Sequence, residues 1–193
     1  MPPTEAVARG RALDGAEKLF YDHGVRAVGM DSVRDASGVS LKRLYGLFGS
    51  KEQLLVEALT ARDQRWMASL QAAVDERAGV AARIGAVFEW LHEWFGEPGF
   101  RGCAFVNVFA ELGSVSPAVA ACAREHKERF RDLLHRETAA AGLDAQTADS
   151  IHLLAEGAIV NAALLGDREG ARTAGATAAR LLGAKSDDVS VPY

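Results

Sequence analysis

Apolar residues recur at intervals of three and four along almost the whole of this sequence, and this spacing limits its fold more than any other feature. The clearest stripe consists of Ile151, Leu154, Ala155, Ala158, Ile159, Ala162 and Leu165. Such spacing puts side chains on one face of an α-helix, whereas a strand needs strict alternation. Glycines separate the periodic segments, and none of them alternates. The pattern therefore predicts an all-α fold of nine helices.

Caps and breakers indicate where several of these helices begin and end. Gly24 and Gly38 follow the first two helices, and the pair Ser50 and Gln53 matches the S-x-x-Q capping box at the start of a long helix. We predict three helices within residues 1–50 and six within residues 51–185. The remaining residues, 186–193, are predicted to form a disordered tail.

Charge is spread unevenly over the 193 residues, whose net charge is −4. Residues 1–60 hold eight Lys and Arg against eight Asp and Glu, so the whole acidic excess lies in the remainder. No signal peptide and no apolar run of about 18 residues is present, and the two cysteines lack the spacing of a metal site. We expect a cytoplasmic protein with reduced thiols and neither a metal, a cofactor nor a membrane partner.

Residues 36–51 carry three cations and no acid. Lys42 and Arg43 lie just after Ser40, and Lys51 directly follows Ser50, so all three stand at predicted helix N-termini. Cations are unfavourable there, because a helix N-terminus carries positive partial charge. They become favourable once phosphate binds, since backbone amides and side-chain charges then share one anion.

The two short helices on either side of residues 38–40 have the length of the helices in a helix-turn-helix, and the residues between them break and cap helices as that motif requires. Lys42 and Arg43 would lie in the first turn of the second helix, where such motifs carry the side chains that read DNA. Tyr45, one turn further on, can offer its hydroxyl to a phosphate. The basic stretch is therefore interpreted as a DNA-binding element.

One segment is similar to the DNA-binding region of TetR-family transcriptional regulators. It reads HGVRAVGMDSVRDAS over residues 23–37 and GVSLKRLYGLFGSKEQLL over residues 38–55, and the likeness covers residues 9–59. The resemblance implies an N-terminal three-helix helix-turn-helix domain, residues 1–50, and a ligand-binding and dimerisation domain, residues 51–185. It also implies a homodimer that binds a palindromic operator.

Carried over position by position, the resemblance puts Ser40, Tyr45 and Lys51 on phosphate. It leaves Leu41, Lys42 and Arg43 at variable positions that face base edges or backbone. Three positions depart from the family pattern. Gly29 stands where Ser or Thr commonly caps the second helix, Arg34 replaces a small residue, and Leu47 stands where His is common.

Aromatic and polar residues in the C-terminal helices favour an apolar cavity with a few polar anchors. A single buried histidine or asparagine is more often a core residue bonded to backbone. The resemblance implies a small-molecule effector in this region. The candidate lining residues are Trp66, Phe88, His92, Phe105, Asn107, Phe109, His126 and Phe130.

The last two helices offer two apolar faces, which either cover the core of one chain or form a self-complementary interface. The resemblance implies a dimer interface there. Its candidate residues are Ile151, Leu154, Ala155, Ala158, Ile159, Ala162, Leu165, Ala174, Ala178 and Leu181.

Catalytic motifs are absent from the sequence, and we predict no catalytic residues. The adjacent pairs His92-Glu93 and Glu125-His126 point about 100° apart on a helix and cannot converge on one metal. Cys122 has His126 at helical spacing, whereas Cys103 has no base at such a spacing. The predicted function is that of a ligand-responsive regulator, a repressor released by a small apolar or amphipathic molecule. The alternative is a helical ligand-binding or adaptor protein without DNA-binding activity.

Overall fold

A computed structural model of the protein describes residues 4–183, and these residues form nine α-helices without a strand. The all-α, nine-helix prediction is confirmed, and the predicted tail lies outside the described residues. In chain order the helices are α1 (Glu5–His23), α2 (Met30–Ser37), α3 (Leu41–Phe48), α4 (Lys51–Asp75), α5 (Val80–Phe95), α6 (Ala104–Leu112), α7 (Pro117–Ala139), α8 (Ala145–Leu165) and α9 (Gly170–Gly183).

Side-chain caps fix several of the helix starts. The Asp144 carboxylate accepts from the Thr147 backbone N–H at 2.7 Å, and the Ser50 hydroxyl accepts from that of Gln53 at 3.0 Å. Each cap satisfies one of the donors that a helix N-terminus leaves unpaired. The Gln53 side chain bonds Glu57 at 3.2 Å instead of returning to Ser50, so only one half of the predicted capping box forms.

Contacts within the chain group the described residues into two compact units. The first unit combines the described part of residues 1–67 with residues 103–127, and the second combines residues 68–102 with the described residues from 128 onward. Helices α4 and α7 contribute residues to both. The predicted boundary after residue 50 concerns function and stays a prediction.

The core of the first unit is built on the small side chains of α1. Ala8, Ala12 and Ala16 are fully buried, and α1 lies close to α2. The two helices are in close contact at Gly15, where a Cβ would lie 3.4 Å from the backbone nitrogen of Ser37. Small residues at such a crossing let the two helix backbones come close together.

Helices α5, α8 and α9 pack together in the second unit. Gly175 of α9 meets α5 so closely that a Cβ there would lie 2.9 Å from the Cβ of Phe88. Helix α8 has the length of a membrane span and a mean hydropathy of 1.2. One of its faces is buried against neighbouring helices, which is also the ordinary position of a core helix in a globular unit.

Candidate nucleic-acid interface and ligand cavity

The turn between α2 and α3 depends on one left-handed residue. Gly38 has a φ of 67°, and its N–H bonds the carbonyl of Arg34 at 2.9 Å to close α2. Only glycine adopts this conformation without steric cost, which accounts for the residue type. The Ser37 hydroxyl donates to the Val33 carbonyl at 2.6 Å and accepts from the Val39 N–H at 3.2 Å. These bonds hold the short connection into α3.

Helix α3 has one buried and one exposed face. Leu44 and Phe48 are buried beneath it, whereas Lys42 is exposed and Tyr45 is 49% exposed on the other side. Ser40, the residue before the helix, is exposed and its hydroxyl makes no capping bond. Leu41 and Arg43 are half-buried at the edges. The structure therefore brings the predicted DNA-contacting residues of α3 onto one side of the helix, with its positive end open to solvent.

Arg9 of α1 holds the end of α3 in place. Its guanidinium donates to the Leu47 carbonyl at 3.2 Å, forms an ion pair with Glu57 of α4, and lies 4.8 Å from the centre of the Phe48 ring. A planar guanidinium with five donors can make several such contacts together. Helices α1, α3 and α4 are therefore joined at one point.

Lys51 has a second partner that the sequence did not predict. Its ammonium donates to the Val25 carbonyl at 2.6 Å and lies 5.9 Å from the centre of the Phe20 ring. Burial lowers the Lys51 pKa, and the nearby Glu111 carboxylate opposes that shift. The side chain thus ties the start of α4 to the turn between α1 and α2. Its contact with phosphate stays a prediction.

Glu111 of α6 is also hydrogen bonded to the turn between α1 and α2. Its carboxylate accepts the backbone N–H of Val25 at 3.0 Å and that of Arg26 at 2.9 Å, and the Arg26 guanidinium donates to the Glu111 carbonyl at 2.9 Å. A carboxylate acceptor makes such bonds stronger than neutral ones. The α1–α2 turn is therefore fixed by α4 and α6 together.

Two departures from the family pattern have local consequences in α2. Arg34 lies between Asp31 and Asp35 and bonds both, which raises its pKa, chiefly through the hydrogen bond with Asp35. Gly29 precedes the helix with no side chain to cap it, and a Cβ added there would meet nothing within 4 Å. No side-chain hydroxyl at position 29 therefore caps the N-terminus of α2.

An apolar cavity of about 290 Å³ lies in the first unit between α6 and α7. Its walls are Phe105, Val106, Phe109, Ala120, Ala123, Arg124 and Lys127. Apolar walls with a few charged groups are typical of small-molecule sites. Two of the predicted lining residues, Phe105 and Phe109, belong to it. Asn107 lines a different and much smaller space with residues of α1 and α4.

Trp66 and His126, two further predicted lining residues, contact each other beside Phe105. The Phe105 ring stacks on the His126 ring with centroids 3.8 Å apart, and the Trp66 ring meets it edge-on at 5.1 Å. His126 Nδ1 lies 2.6 Å from an oxygen of Asp63. Trp66, Phe105 and His126 thus form one aromatic cluster that includes a wall of the cavity.

Comparison with known proteins shows which family the chain resembles. The family model described as "Bacterial regulatory proteins, tetR family" matches residues 12–58. The solved structure of SCO4454, a TetR-family transcriptional regulator from Streptomyces coelicolor, is similar with a TM-score of 0.84 and 27% identity, over 92% of this chain and 95% of that one. Residues 12–58 therefore match the TetR family, and the chain as a whole is similar to TetR-family regulators. These relatives are transcriptional regulators, in agreement with the expectation that the protein is not an enzyme.

Two other relatives are also transcriptional regulators. The tetR transcriptional regulator sav143 from Streptomyces avermitilis is similar with a TM-score of 0.80 and 29% identity, over 91% of this chain and 96% of that one. The HTH-type transcriptional regulator BetI of Rhizobium meliloti (strain 1021) is 35% identical over 89 residues. That match covers 44% of this chain and 43% of BetI, so the chain spans less than half the length of this curated relative.

Three predicted ligand residues lie in the second unit. His92 is buried, with Nε2 2.9 Å from Glu169 and 3.0 Å from the Nε of Arg168. Phe88 packs against Gly175, and Phe130 meets the His152 ring edge-on at 5.6 Å. Their part in binding an effector stays a prediction.

Most of the candidate dimer residues are buried in the second unit. Ile151, Ala155, Ala158, Ile159, Ala162, Ala174 and Ala178 are buried within the single chain, whereas Leu154 and Leu181 are half-buried and Leu165 is exposed. The part of these residues in a dimer interface stays a prediction. The exposed apolar residues of α8 are Leu153, Val160, Leu164 and Leu165.

The sequence did not predict the part that three side chains play in the first unit. Asp63 continues the apolar stripe of Leu59 and Trp66 in α4, and an acid on a core stripe is a usable signal of a buried partner. Glu111 carries no such signal. Cys103 has no base at helical spacing; burial raises its pKa, yet His126, which lies far from it in sequence, helps to lower that pKa overall.

Proposed function

We propose that this protein is a transcriptional regulator that binds duplex DNA through α3. The observation that carries the proposal is the exposed side of α3, where Lys42, Tyr45 and Ser40 surround the open helix N-terminus. The cations of this stretch are unfavourable in the free protein and favourable beside phosphate. Leu44 and Phe48 anchor the opposite face, so the helix would enter a major groove as a rigid element.

The exposed stripe of α8 supports a homodimer. Leu153, Val160 and Leu164 are separated by seven and four residues, so they share one side of the helix, and Leu164 is 77% exposed. Exposed large apolar side chains on one helix face mark interaction surfaces. A two-fold dimer needs a self-complementary patch, and an apolar helix face can meet its own copy.

Leu164→Asp tests this interface. We expect the wild type to be a dimer by light scattering at micromolar concentration and the variant to be a monomer, because an unpaired carboxylate would be buried. Val115→Asp is the matched control, since Val115 is 68% exposed in the first unit. A monomeric wild type, or a Leu164 variant as dimeric as the control, would exclude this surface.

A dimer of this kind would bind a palindromic operator, because each half-site meets the same helix. Selection of bound duplexes from a library of random sequence tests this without assuming any operator. The enriched sequences should contain an inverted repeat whose half-sites are about 34–36 Å apart, or a multiple of that distance. If no sequence is enriched at low salt, the result favours the alternative, a helical ligand-binding or adaptor protein without DNA-binding activity.

The cavity between α6 and α7 is the proposed effector site in this cytoplasmic regulator. Its apolar walls suit a small apolar or amphipathic molecule, and Arg124 and Lys127 can bind a polar or anionic part of it. We propose that the effector releases DNA, which makes the protein a repressor. By thermodynamic linkage, bound DNA then lowers the affinity for the effector, and bound effector lowers the affinity for DNA by the same factor.

A further inference from the structure

The charge of the cavity between α6 and α7 has one sign. Two of its seven walls are cations, Arg124 and Lys127, and none of these seven described residues is an acid. Glu125 and Glu128 lie next to the cations in sequence, but they are exposed and are not walls of the cavity. Positive charge beside an apolar surface attracts anions. The walls therefore favour a negatively charged ligand, although the chain as a whole has a net charge of −4.

The four walls that α7 supplies lie on one face of that helix. They are Ala120, Ala123, Arg124 and Lys127. Intervals of three and four residues keep side chains on one side of a helix, and each residue adds about 1.5 Å along its axis. This face therefore changes from small and apolar to cationic over a distance of about 10 Å. A ligand that follows the face needs an apolar part at one end and an anionic part at the other.

Helix α6 supplies the remaining apolar walls. Phe105 is buried, and its ring stacks on the His126 ring with centroids 3.8 Å apart, which fixes the orientation of this wall. Val106 and Phe109 are instead 43% and 51% exposed. Large apolar side chains gain free energy when a ligand removes them from water. The ligand therefore needs an apolar body that covers these two side chains.

The size of the cavity limits the size of that body. The volume is about 290 Å³, just below the usual range of sites for drug-sized molecules. A water-sized group occupies about 30 Å³ in a liquid, so the cavity holds about ten heavy atoms. A compact molecule with a single charged group matches this volume.

We propose that the cavity binds a small amphipathic carboxylate. Its carboxylate group would meet Arg124 and Lys127, and its apolar body would lie against Phe105 and Phe109. The inference rests on the proposed function, because it names the chemical class of the effector. A carboxylate suits the two cations, since a planar guanidinium can donate to both of its oxygens and an ammonium can donate to either one.

Other classes of ligand fit these walls less well. A sugar phosphate or nucleotide would place hydroxyl groups against phenylalanine rings, where they would lose their hydrogen bonds to water. A cationic compound would meet two charges of its own sign. A neutral apolar compound would gain nothing from Arg124 and Lys127. Each of these classes is represented in the test or by its neutral or cationic analogue.

Calorimetric titration of the full chain with octanoate and octanamide tests the charge of the ligand. The two probes have the same size and shape, and only octanoate is charged. We expect octanoate to bind at one site per chain and at least about tenfold more tightly than octanamide, because charge-assisted hydrogen bonds are about twice as strong as neutral ones. The difference should shrink as salt is added, since Arg124 is exposed and Lys127 is half-buried.

A matched pair of variants assigns this preference to the cavity. Arg124→Gln should reduce the ratio of the two affinities to about threefold or less, because it removes the group that binds both carboxylate oxygens. Arg129→Gln is the control, since Arg129 is an exposed cation of the same helix. Lys127 and Arg129 are two residues apart and so point to nearly opposite sides of α7. Arg129→Gln should leave the ratio unchanged.

The apolar body is tested by a different change. Phe109→Ala should weaken octanoate and octanamide by the same factor, about threefold or more, because it removes apolar contact without changing charge. Phe109 is half exposed, so its loss leaves the buried core in place. Cinnamate, a flat carboxylate, distinguishes two kinds of body. Tighter binding of cinnamate than of octanoate assigns an aromatic body to the ligand, and the reverse assigns an alkyl chain.

Four results would overturn the proposal. They are equal affinities for octanoate and octanamide, tighter binding of octylammonium than of octanoate, and failure of both octanoate and cinnamate to saturate a site at millimolar concentration. The fourth is an equal loss of preference in Arg124→Gln and Arg129→Gln, which would place the carboxylate outside this cavity.

DNA binding supplies a separate readout. Saturating octanoate or cinnamate should weaken affinity for a selected duplex by about fivefold or more, within the usual range of coupling between sites. A carboxylate that binds at the cavity and leaves this affinity unchanged overturns its role as effector. If the protein without ligand binds no DNA, the proposed function fails, and the calorimetric ratios still decide which class of ligand the cavity binds.

Discussion

Replacement of Glu111 by glutamine tests how the turn between α1 and α2 is held. The Glu111 carboxylate accepts the N–H of Val25 at 3.0 Å and that of Arg26 at 2.9 Å, and Lys51 donates to the Val25 carbonyl at 2.6 Å. Side chains from two other helices therefore bond both backbone groups of Val25, whose carbonyl also accepts the Val28 N–H at 3.3 Å. A glutamine keeps one acceptor oxygen but presents an amide NH₂ group to the second N–H.

The expected loss of stability follows from the burial of the two hydrogen bonds that the Glu111 carboxylate accepts. Hydrogen bonds to charged groups contribute about 1.5–3 kcal/mol, and water can replace the lost acceptor where the donor is exposed. The Val25 bond is part-buried and the Arg26 bond is exposed. Glu111→Gln should therefore lower the free energy of unfolding by about 1–1.5 kcal/mol, and Glu111→Ala by about 2–3 kcal/mol.

Urea unfolding followed by circular dichroism measures these differences. Glu97→Gln is the matched control, because Glu97 is an exposed carboxylate in the second unit and its replacement removes the same charge. Surface changes of that kind usually stay within about 0.5 kcal/mol. If Glu111→Gln and Glu97→Gln cost the same, the carboxylate does not hold the turn, and the link between α6 and the DNA-binding region is wrong.

Three further predictions concern single sites. Gly29→Ser should supply the missing cap of α2 without a clash and stabilise the protein by about 0.3 kcal/mol, measured as the urea midpoint. Because the His126 pKa is raised above its ordinary 6.5, its stabilising contribution is complete below 6.5 and is lost as the pH rises through the raised value. The free energy of unfolding, measured across this pH range, should show that loss of stability, and Asp63→Asn should abolish this pH dependence. Glu137→Gln, in the second unit, should cost about 1–2 kcal/mol in thermal or urea unfolding, because Glu137 is buried and paired with Arg83.

The helices could be predicted because their signals are local. Apolar spacing, Gly24, Gly38 and the serine at position 50 act within a few residues, and each helix begins or ends close to the predicted position. The exposed face of α3 follows from the same periodicity, since burial of Leu44 and Phe48 turns Lys42 and Tyr45 outward.

The remaining features depend on contacts between residues that are distant in sequence. Lys51, predicted to contact phosphate, also donates to Val25, because folding places the start of α4 beside that turn. Phe105 and His126 stack because α6 and α7 pack together, which no spacing along one helix reveals. The stripe of α8 is apolar as predicted, but periodicity alone does not decide whether a face such as that of Ile151 covers its own core or a partner.

The central claim, that α3 carries DNA binding, is tested most directly by the salt dependence of affinity for Lys42→Ala on a selected duplex. Lys42 is preferred to Lys51 because it is exposed and its loss leaves the bond to Val25 intact. For the wild type, the logarithm of the DNA affinity should fall linearly with the logarithm of the salt concentration. Loss of one phosphate contact should reduce the slope of this line by about 0.9. Arg77→Ala, which removes an exposed cation of the second unit, should leave the slope unchanged. Equal slopes for wild type and Lys42→Ala would contradict the claim.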